Sequence, residues 1–142
     1  MDSIIELTTG YLTFEELDAE VVASIDDFRS MGVETIFLTF GFGCDREDRL
    51  QFEEIPVALG DLIHFIQDAE ADGTFELGES DLVLRGGGLE FLFCHEGDVH
   101  CYGRESPPLL AVRRRWRRDY EWSEDRQCGG RHRRLTGRPK RR

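Results

Sequence analysis

The densest run of reactive side chains in the sequence is Cys94-His95-Glu96-Gly97-Asp98-Val99-His100-Cys101. Thiolates, imidazoles and carboxylates are the groups that bind transition metals or activate nucleophiles, so their spacing decides what chemistry is open. If Gly97 and Asp98 are the central pair of a Gly-first, type II′ hairpin turn, Glu96 faces Val99, His95 faces His100 and Cys94 faces Cys101. Opposed residues share one face of the sheet with Cβ atoms about 4.5–5.5 Å apart. The two imidazoles then sit on one side and the two thiols on the other, and the four cannot hold one ion. Two ligand sets follow. His95 and His100, joined by a carboxylate from elsewhere, would bind a divalent metal and form the centre of a metal-dependent hydrolase. Cys94 and Cys101 would join Cys128 and His132 as three thiolates and one imidazole. A purely structural role is the third reading, with edge histidines beside Phe93 and Tyr102 and two small apolar thiols in the core. A disulfide between Cys94 and Cys101 fits a strand pair, but thiols stay reduced in a reducing compartment. Successive strand residues point apart, which removes Cys94 and His95 as a direct nucleophile and base pair.

Little else in the chain carries chemistry. Lys140 is its one lysine, so a phosphate-loop lysine, a kinase-type strand lysine and a Schiff-base lysine within the fold are excluded. Gly41-Phe42-Gly43 and Gly86-Gly87-Gly88 lack the spacing of a phosphate cradle and read as turns. His64 falls on the polar side of a helix. Pairs such as Glu53-Glu54, or Glu96 with Asp98, are expected by chance among 29 acidic residues. No catalytic set is complete, and the reading leans away from an enzyme.

Charge is divided along the chain. Residues 1–112 hold 5 basic and 25 acidic side chains, a balance of -20, and residues 113–142 hold 13 and 4, a balance of +9, which together give the net -11. So acidic a body attracts basic partners and repels polyanions at long range. This motivates a non-enzymatic binding module for a basic protein. In size and charge alone the chain resembles small acidic inhibitors such as the immunity proteins that neutralise basic toxins, which implies a protein partner; apart from the divalent metal of the hairpin reading, no cofactor is expected. The competing RNA-binding reading rests on the helix Arg113, Arg114, Arg115, Trp116, Arg117, Arg118, whose guanidinium forks suit phosphate oxygens, and on the basic tail after it. The N-terminal MDSIIELTTG is acidic where a secretory leader is basic and then apolar, and no stretch reaches the roughly 20 apolar residues of a membrane span. A cytoplasmic location with reduced thiols is expected.

These groups need a scaffold, and the hydrophobic pattern supplies one. Thr13 and Glu16 have capping-box spacing, with Leu12 and Leu17 placed as a hydrophobic staple. Phe14, Leu17, Val21, Ile25 and Phe28 then recur at helical steps up to a stop at Gly32. Leu59, Leu62, Ile63, Ile66 and Ala69 predict a second helix ending at Gly73. Ser106, Pro107, Leu109, Val112, Trp116 and Tyr120 predict a third, with a cap, a first-turn proline and an inward stripe. Strands are expected at 3–7, at 33–42 as an inner strand, at 50–55 ended by Pro56, and in a Gly-punctuated meander beginning at Thr74-Phe75-Glu76-Leu77. The expected fold is α+β, a mostly antiparallel sheet with a meander in the C-terminal half and two to three packed helices. The division is a single acidic domain over 1–122 and a flexible arginine-rich tail over 123–142, where too few apolar residues remain to offset the entropy of ordering.

Overall fold

In the computed structural model, which describes residues 3–44 and 52–127, one seven-stranded antiparallel sheet carries three α-helices. Chain order is β1 (Ile4–Thr9), α1 (Phe14–Ser30), β2 (Thr35–Phe40), β3 (Ile55–Ala58), a 3-10 turn (Leu59–Asp61), α2 (Leu62–Ala71), β4 (Leu82–Gly86), β5 (Leu89–Phe93), β6 (Val99–Gly103), α3 (Pro107–Asp119) and β7 (Trp122–Gln127). Across the sheet the order is β3-β2-β4-β5-β6-β1-β7. The expected α+β class and the β4-β5-β6 meander are both present.

Local chemistry explains why the helices start where they do. The Thr13 hydroxyl accepts the Glu16 N–H at 3.1 Å and the Glu16 carboxylate accepts the Thr13 N–H at 2.9 Å, closing the capping box of α1. Such a cap contributes about 1 kcal/mol. Ser106 caps α3 by accepting from the Leu109 N–H, with Pro107 in the first turn where no donor is needed.

Strand alternation sorts the sheet into two unlike faces. Ile5 and Leu7, Ile36, Leu38 and Phe40, Leu82 and Leu84, Phe91 and Phe93, and Val99 and Cys101 point to one side, where they merge with Leu17, Val21, Phe28, Leu62, Ile66, Leu109, Val112 and Trp116 into a single core. Ring contacts tie the layers together: Phe28 meets Phe91 edge-on at 5.6 Å and Phe40 stacks on Phe65 at 6.2 Å. The opposite face carries Glu6, Thr8, Phe37, Arg85, Glu90, Leu92, His100 and Tyr102. Leu92 is buried there, outside the core.

Three expectations need correction. Residues 123–127, placed in the tail, belong to β7, which pairs with β1 from Ile4↔Gln127 to Thr9↔Trp122. The backbone groups of the β1 edge gain partners by this pairing, an advantage that low side-chain hydrophobicity hides. Positions 128–142 of the expected tail lie outside the described residues. Thr74–Leu77 is not a strand and contributes only an isolated bridge between Leu77 and Ser80. Pro56 lies inside β3 instead of ending a strand, which is tolerated because β3 is an edge and Pro56 needs no outward donor.

Candidate functional site

The hairpin that joins β5 to β6 does not use the two-residue turn. Cys94 N–H donates to the Asp98 carbonyl and Gly97 N–H to the Cys94 carbonyl, each at 2.9 Å, while Gly97 takes φ +91°. This is a four-residue turn closed by a glycine bulge. The register that follows is Phe93↔Val99, Leu92↔His100 and Phe91↔Cys101. His95 is therefore not opposite His100, nor Cys94 opposite Cys101. Gly97 suits either turn, so the sequence alone does not separate them.

The changed register moves every partner. Cys94, Asp98 and His100 fall together on the helix-free face, and Cys101 points into the core, so a Cys94–Cys101 disulfide or shared ligand set does not form. None of the three thiols among the described residues, Cys44, Cys94 and Cys101, is in a disulfide. Burial pushes the Cys101 thiol well above its ordinary range, as befits a core side chain. Cys128 and His132, the other half of the proposed thiolate set, lie outside the described residues.

His100 is enclosed by carboxylates. Its Nδ1 lies 2.9 Å from Glu6 Oε2 and its Nε2 3.1 Å from Asp98 Oδ2. Thr8 lies opposite His100 and Glu6 opposite Tyr102 in the β1–β6 ladder, so Glu6 reaches His100 along the diagonal. The Thr8 hydroxyl, 3.3 Å from Nδ1, and the Tyr102 hydroxyl, which donates to Glu6 at 3.2 Å, complete the group. Glu6, Asp98 and His100 are all buried. Desolvation opposes the imidazolium, but hydrogen bonds to Asp98, Cys94 and Glu6 outweigh it and push the His100 pKa up to about 10. Without a metal, His100 is a cation that balances buried carboxylates.

His95 has a separate partner. Asp81 Oδ1 accepts the His95 backbone N–H at 2.7 Å and its Nδ1–H at 2.8 Å, and the ring rests against Phe42 at 4.6 Å. The expected pair of histidines is thus split between two carboxylate sets. Cys94 touches both, because in the turn strand alternation no longer holds and Sγ lies 3.8 Å from His95 Nδ1. The sequence reading missed Asp81 and Glu6. Glu6 comes from β1, 94 positions from His100, and Asp81 from the residue that precedes β4, so neither stands at a spacing that carries a local signal.

The arginine helix is largely committed inside the protein. Arg115 bridges the buried Glu20 and Asp27 of α1, with two bonds of 3.1 and 3.0 Å to Asp27 and a short one to Glu20. The Trp116 indole donates to the same Glu20 at 2.7 Å and the Tyr120 hydroxyl at 3.2 Å. Arg113 holds Glu105 on both carboxylate oxygens, each at 3.0 Å, and Glu124 of β7 at 3.0 Å. Arg118 pairs with the adjacent Asp119 and Arg117 lies over the Trp122 ring at 5.6 Å. Arg114 projects outward. Two of the five arginines read as phosphate contacts therefore join structural elements, and Trp116 is wholly buried and cannot stack on a base.

Acidic surface gathers elsewhere. From Glu53 to Asp81 the sequence has nine carboxylates and no lysine or arginine. Asp61, His64, Asp68 and Asp72 recur at steps of three and four along the outer side of α2, all exposed, and Glu76 and Glu79 follow, also exposed. Among the described residues no cation pairs with Asp61, Asp68, Glu76 or Glu79. No helix among the described residues is long and apolar enough to cross a membrane. No protein-family model, curated protein or solved structure matches the chain.

Proposed function

We propose that this domain is a non-enzymatic binding module whose acidic surface, centred on the outer side of α2 and the segment that follows, engages a basic protein partner in the cytoplasm. The carrying observation is the contrast between two charged regions. The α3 arginines Arg113 and Arg115 are consumed by internal carboxylates, whereas Asp61, Asp68, Glu76 and Glu79 have no cationic partner among the described residues. Like charges on α2 and the segments that flank it repel one another, and a cationic partner relieves that repulsion while the field speeds and orients its approach. Cysteines without a disulfide among the described residues suit a reducing compartment.

Affinity capture from a lysate tests the proposal, with the protein as bait at low and high salt. A variant carrying Asp61→Asn, Asp68→Asn, Glu76→Gln and Glu79→Gln is compared with one neutralised at Glu15, Asp18, Asp26 and Glu34. Basic proteins should be retained at low salt by the wild type and the second variant and lost by the first. Equal loss from both variants, or capture indifferent to salt, would overturn the assignment.

A further inference from the structure

Cys94, Asp98 and His100 are buried on the helix-free face, and one ligand atom from each lies within 4.8 Å of the other two. The hairpin creates this convergence: the Gly97 bulge sets Asp98 opposite Cys94, and strand alternation returns His100 to the same face. We infer that Cys94 Sγ, Asp98 Oδ2 and His100 Nε2 form a binding site for one borderline-soft divalent cation of the zinc class, with Glu6 as the group that orients the imidazole. This is independent of the protein-binding proposal, since it uses other residues on another face.

Three features argue for zinc-class chemistry. The donor set of one thiolate, one imidazole and one carboxylate is typical of zinc and cobalt and unsuited to magnesium or calcium, which take oxygen ligands throughout. Glu6 Oε2 sits 2.9 Å from Nδ1, the nitrogen left over when Nε2 binds the ion. A carboxylate on that second nitrogen is the recurrent partner of metal-bound histidine, fixing ring orientation and tautomer. Glu6 is held in turn by the Tyr102 hydroxyl at 3.2 Å. Finally, the Asp81–His95 pair shares the same thiol, with Sγ 3.8 Å from His95 Nδ1. The sulfur thus has a second polar neighbour, and three protein donors leave a fourth position for water.

A zinc-class ion takes cysteine as the thiolate and histidine through an unprotonated nitrogen, so loading the site releases protons, while the Nδ1–H of His100 stays on Glu6.

The test is titration of the chelator-treated full chain with Zn²⁺ by calorimetry in two buffers of different ionisation enthalpy, and with Co²⁺ by absorbance. One ion per chain should bind with release of protons, and Co²⁺ should give a sulfur-to-cobalt charge-transfer band. Cys94→Ser should abolish that band and weaken Zn²⁺ at least tenfold, with similar losses for Asp98→Asn and His100→Gln. Glu6→Gln, which keeps an acceptor, should weaken binding less than His100→Gln does. His64→Gln, on the exposed side of α2, should bind like the wild type. Cys94→Ser and Asp98→Asn are near-isosteric and keep the test meaningful if His100→Gln does not fold. Absence of stoichiometric binding, or binding that survives both Cys94→Ser and Asp98→Asn, would overturn the site.

Discussion

Replacing Arg115 by Met puts the packing of α3 on α1 to a quantitative test. The guanidinium is the common cation of Glu20 and Asp27, and Glu20 is essentially buried. Methionine keeps much of the aliphatic volume, so the loss is mainly electrostatic. Removing one partner of a buried ion pair typically costs about 3–5 kcal/mol, a large share of the roughly 5–15 kcal/mol that holds a domain folded. The variant can lower this cost by protonating a carboxyl. Desolvation already holds the Asp27 pKa above its ordinary value despite Arg115, and without the guanidinium that rise grows. An acid with a raised folded pKa binds protons more readily in the native state, so the variant should regain stability as pH falls and lose it as pH rises. Urea denaturation at about pH 5 and pH 8 measures both effects. Adding Glu20→Gln to Arg115→Met should recover at least about 1 kcal/mol, because the amide oxygen still accepts from Trp116 and the amide N–H can donate to the Tyr120 hydroxyl, without a buried charge. A cost under about 1 kcal/mol for Arg115→Met, or simple additivity with Glu20→Gln, would refute the account of a buried charge cluster.

The His100 imidazolium faces Glu6, Thr8 and Tyr102 as well as Asp98 and Cys94, and its folded pKa of about 10 lies above the ordinary 6.5. In chelator-treated protein its stabilisation should be complete below about pH 6.5 and disappear as pH rises through about 10; denaturation midpoints of wild type and His100→Gln should converge over that window. Gly97→Ala should cost about 1–2 kcal/mol by denaturant titration, since φ +91° is strained for any residue with a Cβ although the nearest atom is 3.9 Å away. Truncation after Glu121 removes β7 and the half-buried Trp122. By thermal melting it should be less stable than truncation after Gln127 by about 2 kcal/mol or more.

What could be read from the sequence was whatever local chemistry decides. The capping box at Thr13 and Glu16, the Ser106-Pro107 start and the helix stripes, apart from Phe14, which is exposed, involve residues three or four apart, so the pattern contains the interaction. The inner position of β2 followed from Phe37 making its second face apolar. The candidate site was half legible: Cys94, Asp98 and His100 stand out by type, but which of them meet depends on a single turn. One bulge at Gly97 exchanged Cys101 for Asp98 as the neighbour of Cys94. Glu6, which lies 94 positions from His100, and Asp81, which lies 14 from His95, arrive through sheet pairing and loop packing. Arg115 misled for a related reason. An arginine facing phosphate and one facing a buried Glu20 look alike until the packing of α3 on α1 is known.

Acidic recognition by the outer side of α2 is the central claim, and amide chemical shifts test it most directly. Isotope-labelled protein is titrated with a short polyarginine peptide at low and at high salt, with polyglutamate as the opposite charge. The account predicts that polyarginine shifts the amides of residues 59–81 at low salt, that high salt abolishes the shifts, and that polyglutamate leaves these residues unmoved. Shifts concentrated instead on α3, or polyglutamate binding at Arg114, Arg117 and Arg118 with no polyarginine response on α2, would contradict it.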